Sequence, residues 1–324
     1  MAKKYLTPII LLSLFLVLIL LIFPPLEKSA TEAREFVIQK GDGSAKVARF
    51  LAEQKLVRSR YLFIAYTLFV GKEKDFKAGR YLISPSMSIP EIVRIFSAGE
   101  ALPEGELVTI PEGFNAWEIA ELLKKKGFNV NTDELLENEG HLFPDSYWFK
   151  DDEIGGEVIK KMKENFEKKT ENLKLKIEYL KFREAVIVAS MLEKEVRKAE
   201  DMALVAGIIY KRLELGMPLQ IDATVAYGSC LNIWTSQVQI FWTCDVAQVN
   251  LVENIKIDSP YNTYTRKELP AGPISNPGLK AINAALNPQA SDYLYYLSAR
   301  DDGRTIFSKT PAEHAANRKR YLNL

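Results

Sequence analysis

The sequence predicts a mixed α+β protein: an N-terminal apolar run, a small α+β domain, then a larger α+β domain. Three observations predict this. Leu6 to Phe23 carries no charged residue and stops at Pro24 and Pro25. A short strand, a turn and a capped helix then recur three times between Phe36 and Gly127. Long helical stretches follow, interrupted by a polar-rich segment at 219–228 and closed by a strand, a turn, a strand and a helix.

Taken in order, Met1 to Lys4 holds two lysines and the free amine, and the apolar run begins at Leu6. At roughly 1.5 Å per residue this run is just long enough to span a bilayer. An apolar core behind two lysines also fits a cleaved signal peptide. The run is longer than a usual signal core and no clear A-x-A site follows it. Residues 1–26 are therefore read as a cytoplasmic tip and transmembrane anchor. Positive charge before the span, with no excess after it, keeps the N-terminus in the cytoplasm and the bulk outside. Residues 27–35 have no periodicity and read as a linker.

The first strand-turn-helix instance is FVIQKGDGSAKVARFLAEQ. The second is RYLISPSMSIPEIVRIFSAG, with Ser88 as N-cap, Glu91 completing a capping box and Pro90 in the first turn. The third is LVTIPEGFNAWEIAELLKKKG, where Asn115 caps and Glu118 answers it. The apolar helix SRYLFIAYTLFVG lies between the first and second and would cover a small sheet. Residues 36–103 then form one compact α+β domain, and 104–324 the larger one. These instances are too unlike one another to be a solenoid.

In the larger domain, EGHLFPDSYWF gathers Phe143, Tyr147, Trp148 and Phe149 around a Pro-Asp turn, either a core cluster or a stacking platform for sugar rings. Glu139 and Asp145 are its ionisable residues. Asp151 to Arg183 reads as a solvated amphipathic helix with Val158, Met162 and Phe166 as its stripe. Glu200 to Leu215 is a helix with Arg212 on its polar side, ended by Gly216. The close, YLYYLSARDDGRTIFSKTPAEHAANRKRYL, predicts two strands about a turn at Asp301 to Gly303 and a helix from near Pro311. There Thr310 and Glu313 form a capping pattern.

Composition narrows the chemistry. The chain has 324 residues with 43 basic and 42 acidic side chains, a net charge of +1. That balance argues against a nucleic-acid partner, which needs a basic stripe. Two histidines and two cysteines offer no metal-ligand cluster and no cofactor is implied, so catalysis falls to carboxylates. Cys230 and Cys244 flank an aromatic segment with Trp234, Phe241 and Trp242. A disulfide and two buried thiols both fit this spacing.

The candidate acid is Glu193. Ala185 to Leu192, AVIVASML, reads as a helix buried all round, and Glu193 leaves it at the edge with Ala189 and Ser190 one turn back. Desolvation there would raise its pKa and keep a proton available. The plainer alternative is an exposed Glu193 paired with Arg197 one turn on. LQIDATVAYG alternates polar and apolar residues, which as a strand puts Gln220, Asp222 and Thr224 on one face.

These motifs together carry a resemblance. SMLEKEV, LVAGIIYKRLELGMPLQIDATVAYG, DSPYNTY, LPAGPISNPG and FSKTPAEHAAN, in that order, resemble the YceG-like (MltG-type) endolytic murein transglycosylases over nearly the whole chain. Ala223, Ile221 and Val196 depart from the family's usual Pro, small hydroxyl residue, and Thr or Ala, and none removes a carboxylate.

The resemblance implies that residues 36–103 are a LysM-like domain, either glycan-binding or a spacer, and that 104–324 are a YceG-like catalytic domain. It implies Glu193 as the catalytic residue. Glu195, Gln220, Asp222, Thr224, Tyr227, Asn262, Thr263, Tyr264, His314 and Asn317 are its substrate-binding or supporting residues.

The implied reaction cleaves the bond from N-acetylmuramic acid to N-acetylglucosamine in nascent peptidoglycan, with the muramoyl C6 hydroxyl as nucleophile and a 1,6-anhydro end as product. An internal nucleophile needs no second carboxylate, because it is already held at high effective concentration. Peptidoglycan strands and the cell-wall synthases (penicillin-binding proteins) are the implied partners. The location is the cytoplasmic (inner) membrane, with the catalytic domain periplasmic or extracellular. A silent glycan-binding scaffold and a hydrolytic muramidase are the competing readings.

Overall fold

The computed structural model describes residues 22–27, 29, 32–150, 152–174, 178–236 and 246–322. Apart from Ile22 and Phe23, the apolar N-terminal run lies outside these, as do Cys244, Phe241 and Trp242. Among the described residues no helix is long and apolar enough to cross a membrane. The chain is α+β and divides into two compact units, Met1–Gly105 and Glu106–Leu324.

The first unit is built on one antiparallel strand pair, β1 (Arg34–Ile38) with β2 (Gly79–Ile83), in the register Phe36 to Tyr81. Between them come α1 (Ser44–Glu53) and α2 (Arg60–Phe69), and α3 (Ile89–Ala98) follows. Alternation along the strands sends Phe36, Ile38, Tyr81 and Ile83 inward against Leu51, Phe63, Ile92 and Phe96. Helix α3 starts with the expected capping box: Ser88 Oγ accepts from the Glu91 amide, and the Glu91 carboxylate accepts from the Ser88 amide. Gly99 ends it at φ +74°, where a side chain would be strained.

The second unit opens with β3 (Glu106–Thr109), paired antiparallel to β4 (Ser146–Phe149). Helices α4 (Ala116–Lys125) and α5 (Thr132–Glu137) lie between, and α4 carries the expected Asn115–Glu118 capping box. Phe143, Tyr147 and Phe149 are buried, so the aromatic cluster is mainly core rather than an open platform. The expected helix over Asp151 to Arg183 is two elements, α6 (Gly155–Lys174) and the start of α7 (Tyr179–Glu195). Val158, Met162 and Phe166 form the buried stripe of α6 as its periodicity requires.

Helix α7 is the axis of this unit. Every residue from Ala185 to Leu192 is buried, because α8 (Ala199–Glu214), α9 (Asp222–Ser236) and α11 (Leu279–Leu286) all pack against it. A short helix, α10 (Leu251–Asn254), precedes the loop 255–278. The chain closes with the strand pair β5 (Tyr295–Ser298) and β6 (Thr305–Ser308) and with α12 (Pro311–Leu322).

Two expectations are corrected. Asp222 and Thr224 belong to a helix, α9, and not to a strand. The apparent alternation ends at Gln220, whose φ of +55° turns the chain, and Asp222 then starts a helix whose first turn favours a carboxylate. Arg212 is buried in α8 and does not face solvent.

Candidate active site

The two glutamates at the end of α7 stand two residues apart and so face different sides of the helix. Glu193 turns toward the N-terminus of α11, where its Oε1 accepts from the Gly278 amide at 3.0 Å. Glu112 is the second carboxylate there, and an added Cβ at Gly278 would come within 1.9 Å of its Oε1. Burial raises the Glu193 carboxyl, the Gly278 amide opposes this, and Glu112 adds to the rise. The expected alternative pair with Arg197 is not made: that guanidinium packs against the Gly303 turn.

Glu195 turns to a different set of groups. Burial, and then the charge of Asp222, push its carboxyl up to about 7. Asp222, exposed at the start of α9, accepts a hydrogen bond from the Tyr264 hydroxyl at 2.6 Å. Tyr296 of β5 lies within electrostatic reach of Glu195, Asp222, Arg212 and Tyr264, and burial raises its hydroxyl well above the ordinary value. The patterns read from the sequence missed Tyr296 and the buried setting of Arg212. The only sequence signal for them is a run of tyrosines at 293–296 and one arginine inside an apolar helix.

The turn that presents Asp222 is held from two sides. Arg212 Nη1 donates to the Leu219 carbonyl at 3.1 Å, and Nη2 donates to Gln220 Oε1 at 3.0 Å. Opposite, the Gln220 amide donates to the Thr263 carbonyl, and the Ile221 amide donates to Thr263 Oγ1, each at 3.0 Å. Thr224 Oγ1 meets Thr263 Oγ1 at 2.9 Å. Gln220 therefore keeps a left-handed conformation that costs a non-glycine residue roughly 1 kcal/mol. The guanidinium lies 5.5 Å over the Tyr295 ring, while its Nε is buried without a hydrogen-bond partner.

Several of the residues expected to bind substrate or to support the site are tied into the fold. Thr224, Tyr227, Asn262 and Thr263 are buried. Asn262 Nδ2 donates to the carbonyls of Ile255 and Ile257, shaping the loop that delivers Tyr264. Tyr227 donates to Glu139, away from Asp222. His314 stacks on Tyr295 at 5.3 Å, with Nδ1 buried and unpartnered, and burial lowers its pKa. Asn317 donates to Ser308 Oγ, tying α12 to β6. Glu313 accepts from the Lys309 amide and acts as a cap. The pairing of Cys230 lies outside the described residues with Cys244, although Cys230 itself is fully buried.

Among the described residues no group of His, Cys, Asp or Glu is arranged to hold a metal. A concavity of about 530 Å³ lined by His141, Lys160, Lys163 and Glu167 contains none of the expected catalytic groups. The candidate site thus gathers Glu195, Arg212, Gln220, Asp222, Tyr264 and Tyr296, drawn from α7, α8, the turn after α8, α9, the loop before α11 and β5. A carboxyl group that keeps its proton near neutral pH beside a second carboxylate is the constitution of an acid–base enzyme.

Comparison with known proteins gives that class its family. The chain belongs to the YceG-like family, whose profile matches residues 36–320. A Bacillus subtilis protein named endolytic murein transglycosylase is 29% identical over 92% of this chain and 88% of its own length. A Streptococcus pneumoniae protein of the same name is 26% identical over 92% of this chain, which spans 60% of that longer protein. A crystal structure of a yceG-like protein from Listeria monocytogenes is 27% identical, with a TM-score of 0.49, covering 88% of this chain and 99% of that one.

Proposed function

We propose that this chain is an endolytic murein transglycosylase that cleaves the β-1,4 bond from N-acetylmuramic acid to N-acetylglucosamine in nascent peptidoglycan. Membership of the YceG-like family and the names of its relatives support the reaction class. The observation that carries the mechanism is the carboxyl of Glu195, held at about 7 beside Asp222.

In this mechanism the Glu195 proton passes to the glycosidic oxygen as the C1–O bond breaks, and the N-acetylglucosamine side leaves as an alcohol. Asp222 stabilises the positive charge that develops at C1 and the ring oxygen. The muramoyl C6 hydroxyl attacks C1 of its own sugar and returns its proton to the Glu195 carboxylate. A 1,6-anhydro end forms, no water enters, and the enzyme recovers its starting protonation.

Glu193 is the competing acid. Its bond from the Gly278 amide stabilises the charged form, which suits a helix anchor better than a proton donor. A hydrolytic muramidase is also compatible with Asp222 standing near Glu195, since a second carboxylate can serve as base or nucleophile.

Two further parts of the reading rest on the sequence alone. The uncharged run Leu6–Phe23 supports a single-pass anchor in the cytoplasmic membrane, with the catalytic unit outside it and within reach of cell-wall synthases. The first unit is read as LysM-like, either a module that holds the glycan strand or a spacer.

Muropeptide mass spectrometry on purified glycan strands tests the chemistry. Wild type should give 1,6-anhydro-muramoyl ends, Glu195→Gln should lose roughly 10²–10⁴ in rate, and Glu193→Gln should lose far less. Reducing ends would support the hydrolase instead, and full activity in Glu195→Gln would return the acid to Glu193.

A further inference from the structure

Helix α2 is apolar round its whole circumference: RYLFIAYTLF has Arg60 as its one charged residue. A helix of that composition is normally enclosed on every side. Here only Phe63 and Thr67 are fully buried, while Tyr61, Leu68 and Phe69 stand 67%, 58% and 82% exposed. At about 100° per residue Tyr61 and Leu68 share one face, with Ala65 between them and Phe69 at its edge.

Where the N-terminal apolar run ends indicates what covers this face. Ile22 is inserted into the same core that α2 packs on. Phe23, itself 54% exposed, sets its ring edge-on to Tyr66 of α2 at 6.4 Å. Arg58, just before the helix, donates to the Pro25 carbonyl at 3.4 Å, and the Glu27 amide donates to the Pro85 carbonyl at 3.0 Å. A run of membrane-spanning length is thus fastened to this unit beside an apolar helix with one face uncovered.

We propose that Tyr61, Leu68 and Phe69 of α2, together with Phe23, lie in the interfacial layer of the bilayer that the Leu6–Phe23 run enters. The inference rests on reading that run as an anchor. The chemistry suits a lipid surface. Tyr61 and Phe69 are residue types that settle between headgroups and acyl chains. The Arg60 guanidinium, 4.7 Å over the Tyr61 ring, sets a positive charge at the level of the lipid phosphates. Because the anchor already supplies a high local concentration, a few apolar side chains suffice to orient the unit on the membrane.

The test uses the full chain in vesicles of phosphatidylethanolamine and phosphatidylglycerol carrying a lipid-borne photoactivated carbene probe, with adducts mapped by peptide mass spectrometry. Adducts are expected within 6–23 and within 60–69. The double substitution Leu68→Glu with Phe69→Glu, at exposed positions, should remove the second set and keep the first. Adducts confined to 6–23, or adducts at 60–69 that persist in the variant, would overturn the inference while leaving the anchor intact. Absence of adducts from 6–23, with release of the protein by a carbonate wash, would overturn the anchor reading and the inference together.

Discussion

At the scale of single residues, the carboxyl of Glu195 makes two linked demands. If it must be protonated to act, kcat/KM falls about tenfold per pH unit above its pKa of about 7. The same shift bears on stability. A carboxyl whose folded pKa lies above its unfolded value binds more protons in the folded state, so stability declines as pH rises from the ordinary carboxyl value of 4.5 to about 7. Above that window the full cost of burying the charge remains, about 3 kcal/mol. Glu195→Gln cannot ionise, so its Tm should match wild type at pH 4, exceed it progressively to pH 7, and hold a constant margin beyond. Thermal melts across that range check this, and a margin independent of pH would mean the carboxyl is not perturbed. Arg212 yields a different expectation. Its guanidinium forms no ion pair among the described residues, yet it clamps the strained Gln220 turn that presents Asp222. Arg212→Met should relax that turn and misplace Asp222 relative to Glu195. We expect kcat to fall by about 10–100-fold with KM little changed, because displacing a reacting group by an ångström costs that much. Steady-state kinetics beside far-ultraviolet dichroism separates this from unfolding.

At the scale of elements, Asn276 shows how a loop residue can hold a unit together. Its Oδ1 accepts from the Gly140 and Leu142 amides, while Nδ2 donates to the Phe114 carbonyl and to Glu139 Oε1. Glu139 accepts in turn from the Ala116 amide at the start of α4 and from Tyr227 of α9. Burial pushes the Glu139 carboxyl up to about 8 against these donors. Asn276→Ala strands two buried amides and one lobe of the carboxylate, while the Phe114 carbonyl keeps the Asn276 backbone amide. Each unmet group costs about 1–3 kcal/mol, so a loss of about 3 kcal/mol or more in a urea melt is expected. A loss below about 1 kcal/mol would show that water replaces the amide. None of this is legible in LPAGPISNPG itself, whose prolines and glycines mark a turn while its asparagine shows no partner. What was legible had local causes. The Ser88–Glu91 and Asn115–Glu118 capping boxes, the stripe of α6 and the wholly buried AVIVASML helix follow from spacing alone. The start of α9 failed because three alternating residues fit a strand as well as they fit a turn entering a helix. The deciding factor was a left-handed Gln220 held by Arg212 and Thr263, both remote in sequence.

At the scale of the whole molecule, the α+β class was readable because short strands and capped helices are local features. The grouping of Glu195, Asp222, Tyr264, Tyr296 and Arg212 was not, because it arises only when four segments remote in sequence come together at the end of α7. Family resemblance named four of the site's residues, Glu195, Gln220, Asp222 and Tyr264, but neither Arg212 nor Tyr296. The division into units makes a separate prediction. One apolar cluster, from Ile22 to Phe96, lies wholly before Gly105, and the two others lie wholly after it. At the boundary between the units Pro103 and Glu104 are exposed and Gly105 adopts φ +109°. An exposed stretch of this kind opens at little cost, whereas cuts inside a buried cluster require cooperative unfolding. A glutamate-specific protease should therefore cut first after Glu104, leaving two resistant fragments identifiable by mass. The fragment beginning at Gly105 carries every group assigned to the reaction, so after separation it should still release anhydro ends from soluble glycan strands. Loss of that activity on clean cleavage would mean that the first unit contributes to substrate binding itself.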